Sequence, residues 1–167
     1  MLHLLKSMVT IVASALFALP TILKAEELNP IGIQHPPLPE MYEEKAAWAV
    51  DNNYSITSVV IAERELLLLD RFIERDNQGK SLFKVVNVLS LSSIDNETET
   101  ILGGLPHLCS INGELDPTLI VIARLDSNKE TLTEISRAWK VDLEKEKFDE
   151  IDLTDVKISC ENFGYGI

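Results

Sequence analysis

Cysteine is scarce in this chain, with 2 in 167 residues. That excludes the disulfide-dense scaffolds of very small secreted domains. Basic residues are also few: 15 Lys and Arg stand against 27 Asp and Glu, a formal net charge of -12. A surface of that sign repels a phosphate backbone, so nucleic acid is excluded as the ordinary partner. Apolar residues are not lacking, and at 46% hydrophobic the chain is too apolar for a disordered acidic tail. Its length fits one compact domain with a real core. Catalytic signatures are absent too. There is no Gly-x-Ser-x-Gly elbow, no glycine-rich phosphate loop and no His-Glu-x-x-His zinc helix. No catalytic residue, cofactor or metal is therefore assigned.

Charge is missing altogether from Met8 to Leu23, a run broken only by Pro20. Lys6 precedes it, Lys24-Ala25 follows, and Glu26-Glu27 opens an acidic stretch. This is the layout of a secretory signal peptide over 1–25, with cleavage expected after Ala25. As a helix the run would reach only about 24 Å, short of the roughly 30 Å hydrocarbon core, so a permanent anchor is disfavoured. No cysteine lies at the junction, so a lipoprotein is not supported, and no later segment would span a membrane. Removing 25 residues and their two lysines leaves 142 residues with 13 cations against 27 acids, a net charge of -14. The expected location is the periplasm or the exterior.

In such a compartment two thiols pair, so Cys109 and Cys160 are expected to form one disulfide. The competing metal reading rests on His107-Leu108-Cys109, which lacks a second ligand cluster at metal spacing.

Prolines 30, 36, 37 and 39 make 26–39 an extended arm, followed by a single compact domain over 40–167. Glu40 to Asp51 is read as an α-helix. Pro39 suits its first turn, the glutamates its N-terminal end, and Asn52-Asn53 its stop. Met41 and Trp48 would share the face that docks on a sheet. Beyond Tyr54 the pattern turns to strands: 55–62, 66–73, 82–91, near 100–102, 108–111 and 118–125. Asp76 to Gly79 marks a hairpin, and Asn112-Gly113 and Asp126 to Lys129 mark further turns. From Thr133 to Leu143 apolar and polar residues alternate with period two. Ser127 and Glu130 match a capping box, which leaves a short helix near 130–135 as a rival there. Strands at 148–153 and 156–160 end the chain. The expected fold is mainly β, an antiparallel sandwich or small barrel (β-meander) with one N-terminal α-helix packed on it and one disulfide.

Few residues offer chemistry. After processing the histidines are His35, whose catalytic use requires the arm to dock, and His107, a candidate functional loop residue beside the Gly103-Gly104 bend. Seven acids crowd the stretch from Asp142 to Asp155. Calcium takes several oxygens, but the EF-hand pattern is missing and lysines are interleaved, which favours a solvated face. Trp139 shares the parity of Ile135 and Val141, and Trp48 is its expected packing partner. If either is exposed, it is a candidate aromatic binding surface. Asn53-Tyr54-Ser55 and Asn96-Glu97-Thr98 are glycosylation sequons.

These features favour a non-enzymatic exported binding protein whose charge steers a basic protein partner, as an inhibitor or immunity factor would. A second class is a small hydrolase using His107 with a nearby carboxylate. A third is an envelope structural or assembly subunit, which an exposed strand edge would favour. Exported material is expected to begin at or near Glu26. N-terminal mass analysis reads this directly, and an intact Met1 terminus would refute cleavage.

Overall fold

The computed structural model describes residues 29–91, 94–95, 97–104 and 109–166. The signal segment and His107 lie outside them. The arm's prolines lack the amide hydrogen a ladder needs, so its pairing is brief: β1 (Gln34–His35). Next come β2 (Glu43–Ala49), β3 (Tyr54–Ile61), β4 (Arg64–Arg75) and β5 (Ser81–Leu91). These four are successive antiparallel neighbours, and β1 adds to β5 at the far side. The chain continues through β6 (Glu99–Gly103), β7 (Cys109–Ile111), β8 (Glu114–Leu115), β9 (Leu119–Arg124), β10 (Thr131–Leu132), β11 (Ile135–Asp142), β12 (Lys147–Glu150) and β13 (Ile158–Glu161). A second sheet has the order β12-β11-β9-β6, and a third β10-β13-β7-β8. The protein is mainly β, in three antiparallel sheets. Among the described residues no helix is long and apolar enough to cross a membrane.

The expected helix over Glu40 to Asp51 is a strand instead. Its glutamates and alanines are good helix formers, but propensity differences amount to only a few tenths of a kcal/mol per residue. Pairing with β3, from Glu43 opposite Val60 to Ala49 opposite Ser55, satisfies the backbone and sets Trp48 against Ile56. β2 is a sheet edge, and all its residues except Trp48 are exposed. An edge strand that faces water does not need the β-branched alternation that reveals inner strands. The rival helix near 130–135 is likewise absent, and Thr131 and Leu132 pair with β13.

Packing explains the most apolar run of the mature chain. Leu119 to Ala123 of β9 are all buried. Ile120 and Ile122 join Ile56, Leu67, Leu69, Trp139 and Val141 in a core between the first and second sheets. Leu119, Val121 and Ala123 point the other way and meet Leu132, Ala138, Ile158 and the two cysteines. The second sheet is thus a middle layer, which is why β9 lacks a polar parity. Each fully buried aliphatic side chain there contributes about 1.5–3 kcal/mol. The arm covers the remaining apolar face. Tyr42, with Ile33 and Leu38, packs on Val59, Ile61, Leu66, Leu68 and Val85.

Trp48 packs against the core between the first two sheets. Gly104, with φ of +77°, lies against the indole so closely that a side chain there would overlap it. The glycine pair read as a bend is therefore also a close approach.

Aspartates organise the turns. Seven of them, Asp51, Asp76, Asp95, Asp116, Asp126, Asp142 and Asp152, accept backbone amide hydrogens two to four residues ahead. These are the Asx turns that let a short side chain replace a missing ladder bond. Asn112 and Gly113, with φ of +53° and +87°, make the β7–β8 turn in the conformation typical of Asn-Gly hairpins.

Cys109 and Cys160 form the expected disulfide, between register partners on β7 and β13 whose Cα atoms are 4.0 Å apart. The bridge spans 51 residues. Replacing either cysteine with serine is expected to lower unfolding free energy by about 4 kcal/mol under oxidising conditions, read by urea denaturation. Equal wild-type stability with and without reductant would overturn this. The turn aspartates add a pH dependence. The Thr98 hydroxyl, the Asn128 amide, the Lys145 ammonium and the Thr154 hydroxyl hold Asp95, Asp126, Asp142 and Asp152 below the usual carboxylate range. Their contribution is complete above about pH 4 and is lost as the pH falls through the lower folded values. Thermal melts should therefore fall progressively below about pH 4, and a melting temperature constant down to about pH 2 would contradict the assignment.

Candidate functional site

Strand register places one row of side chains across the outer face of the first sheet. Ala49, Ser55, Asp70 and Val85 are successive partners on β2, β3, β4 and β5, and Ala47, Thr57 and Leu68 form an adjacent row. Asp70 directly follows four buried leucines and is itself 0% exposed. A carboxylate at such a position must be held by donors. Thr57 Oγ1 donates to its Oδ2 at 2.6 Å, and His35 Nε2 meets its Oδ1 at 3.0 Å.

His35 reaches this point because the arm docks. β1 sets it opposite Phe83, with ring centroids 6.1 Å apart, and leaves it 6% exposed. If an ionised Asp70 accepts from His35 as it does from Thr57, a neutral His35 carries its proton on Nε2 and presents Nδ1 as an acceptor. No described residue hydrogen-bonds Nδ1. A cavity of about 320 Å³ opens beside the ring. Pro36, Phe83, Ala47 and Ala49 give it apolar walls, and Glu44, Ser55 and Thr57 line it with polar atoms. A mostly apolar hollow with a few convergent polar groups is the usual form of a ligand site.

A larger cavity, about 880 Å³, lies between β11 and the third sheet, lined by Asn112, Thr133, Ile135, Leu153, Lys157 and Ile158 among others. It holds no buried titratable side chain, so size alone recommends it, and we place the candidate site at His35.

No described hydroxyl is bonded to His35, although Ser55 and Thr57 line the hollow. In a hydrolytic triad the hydroxyl bonds the imidazole. Here the Thr57 hydroxyl bonds the carboxylate, no described serine or threonine bonds His35, and both cysteines are in the disulfide. Nor do the described residues group three His, Cys, Asp or Glu side chains as a metal site. The chemistry on offer is an imidazole fixed by a buried carboxyl group, with its Nδ1 bonded to no described residue.

Of the residues singled out from sequence, His35 and Trp48 both line the smaller cavity, and the others do not join them. His107 lies outside the described residues, as does Asn96 of the second sequon. Trp139 is 2% exposed and Arg137 stacks 4.6 Å from its ring centroid, so it offers no binding face. Trp48 joins the same core from β2, and its buried Nε1 has no partner among the described residues. Among the acids from Asp142 onward, Asp142 pairs with Lys145 and Asp149 with Lys147 near the surface. Glu146 instead ties two sheets together, accepting from Tyr54 and Arg71. Asp70 and Thr57 escaped sequence reasoning, although a lone acid closing a four-leucine run was the available signal. No family model, curated protein or solved structure matches this chain.

A His35→Ala variant is expected to lose about 3 kcal/mol, because Asp70 stays buried while losing its partner. Urea unfolding monitored by tryptophan fluorescence measures it. A loss below about 0.5 kcal/mol would show that the pair does not hold the arm.

Proposed function

We propose that this chain is an exported, acidic β-rich protein, built on a sandwich-type single domain, that binds a basic protein partner rather than catalysing a reaction. The observation that carries the reading is the mostly apolar hollow beside His35, with Glu44 in its lining and no described hydroxyl bonded to the imidazole, on a molecule of net charge -12. Long-range attraction would steer a cationic partner, and the hollow would give it a fixed point of contact. Export to the periplasm or the exterior is supported by the leader layout and by the disulfide, which oxidising compartments preserve. An inhibitor or immunity role against a cationic enzyme or toxin fits this chemistry.

One observation favours a second reading, an envelope assembly subunit. β2 is a terminal strand of the first sheet, and such an edge can accept another strand. Against it stand Glu43, Glu44 and Lys45 on that edge, and an arm docked on its own sheet. The hydrolase reading rests on His107 alone.

Calorimetric titration of the processed protein with a panel of cationic exported enzymes decides between these. Binding at low salt that weakens steeply as salt rises supports the proposal. No heat with any member at low salt would sink it. A mass by light scattering that grows with concentration would favour the assembly subunit.

A further inference from the structure

We infer that the His35 cavity receives an arginine side chain of the partner. This deepens the binding reading above and rests on it. Two features of the hollow select a cation that donates hydrogen bonds. The first is His35 Nδ1, which no described residue hydrogen-bonds and which in the neutral imidazole is an acceptor, on a ring 6% exposed whose other nitrogen meets Asp70. The second is Glu44, exposed at the same cavity and in no ion pair with a described residue. Behind both lies the buried carboxyl of Asp70, held by His35 and Thr57 and within ion-pair distance of no described lysine or arginine.

The walls suit the rest of an arginine. Ala47 and Ala49 are small and exposed, so β2 leaves room where larger residues would fill the hollow. Their methyl groups, with Pro36, form a surface against which an alkyl stem packs while its head keeps polar contact. Phe83 also lines the hollow, and an aromatic ring attracts a guanidinium placed over it. A planar head with five donors can serve the imidazole and a carboxylate at once, which a lysine ammonium does less well. An anionic ligand is disfavoured by the same groups. A neutral one would leave Glu44 unused.

The test uses the processed full chain and two probes, acetyl-Gly-Arg-Gly-amide and its citrulline analogue, which keeps the shape and loses the charge. NMR titration should show saturable shifts at Ala47, Ala49 and His35 with the arginine peptide and at least tenfold weaker binding of the citrulline one. Ala47→Leu fills the hollow without changing charge and should weaken arginine-peptide binding at least tenfold, and Glu44→Gln severalfold. A melting temperature within the wild-type range confirms that each variant is folded. Equal binding of the two peptides, or arginine binding untouched by Ala47→Leu, would overturn the inference. The two levels separate cleanly. If cationic proteins bind wild type and Ala47→Leu alike, the charge reading stands and the cavity inference falls. If the peptide binds the cavity but no cationic protein binds, the inference about the side chain stands and the protein-partner reading falls.

Discussion

Asp70 sets a carboxyl group where water does not reach, and the outer half of the structure is arranged around it. A carboxylate buried in a sheet face is costly unless its oxygens are satisfied. Thr57 supplies one donor from the neighbouring strand, within the meander itself. The second comes from His35, on the arm. That bond draws a proline-rich segment onto the sheet, where Ile33, Leu38 and Tyr42 then cover Val59, Leu68 and Val85. The same bond leaves one nitrogen of His35 uncommitted at the edge of a hollow. Fold and candidate site therefore share one polar contact, and removing it would disturb both.

The acidity of the chain has two sources that differ in meaning. Seven aspartates are spent on turns, where a short acceptor replaces a backbone partner and the charge is incidental. Others neutralise local lysines or, like Glu146, join two sheets. Glu44 does neither. It lines the cavity and forms no ion pair with a described residue, and the proposed partner contact rests on it. In that proposal the net charge would act at a distance and a few placed polar groups on contact.

Much of the scaffold was legible in the residues. β11 was visible because it alternates, with a buried parity of Trp139 and Val141. The β4–β5 hairpin was visible because Asp76 to Gly79 has turn chemistry between two apolar runs. The disulfide followed from having only two cysteines. β2 was misread for a physical reason: exposed on its edge, it has no inward parity to display, and its glutamates and alanines are those of a helix. The third sheet was obscured by strands of two to four residues, too short to show any period.

The candidate site was legible only in fragments. His35 was noted with the condition that its arm dock, but nothing in the arm names its acceptor. Asp70 stands 35 residues away, at the end of a leucine run that reads equally well as a strand terminus. By itself the sequence determined the β class, the turn positions, the bridge and the sign of the charge, because each depends on neighbours along the chain or on composition. The tertiary structure alone decided that an acidic stretch pairs as an edge strand, that Trp139 is core, and that His35, Thr57 and Asp70 meet. Those outcomes depend on pairing register and burial between distant segments, which local propensity does not encode.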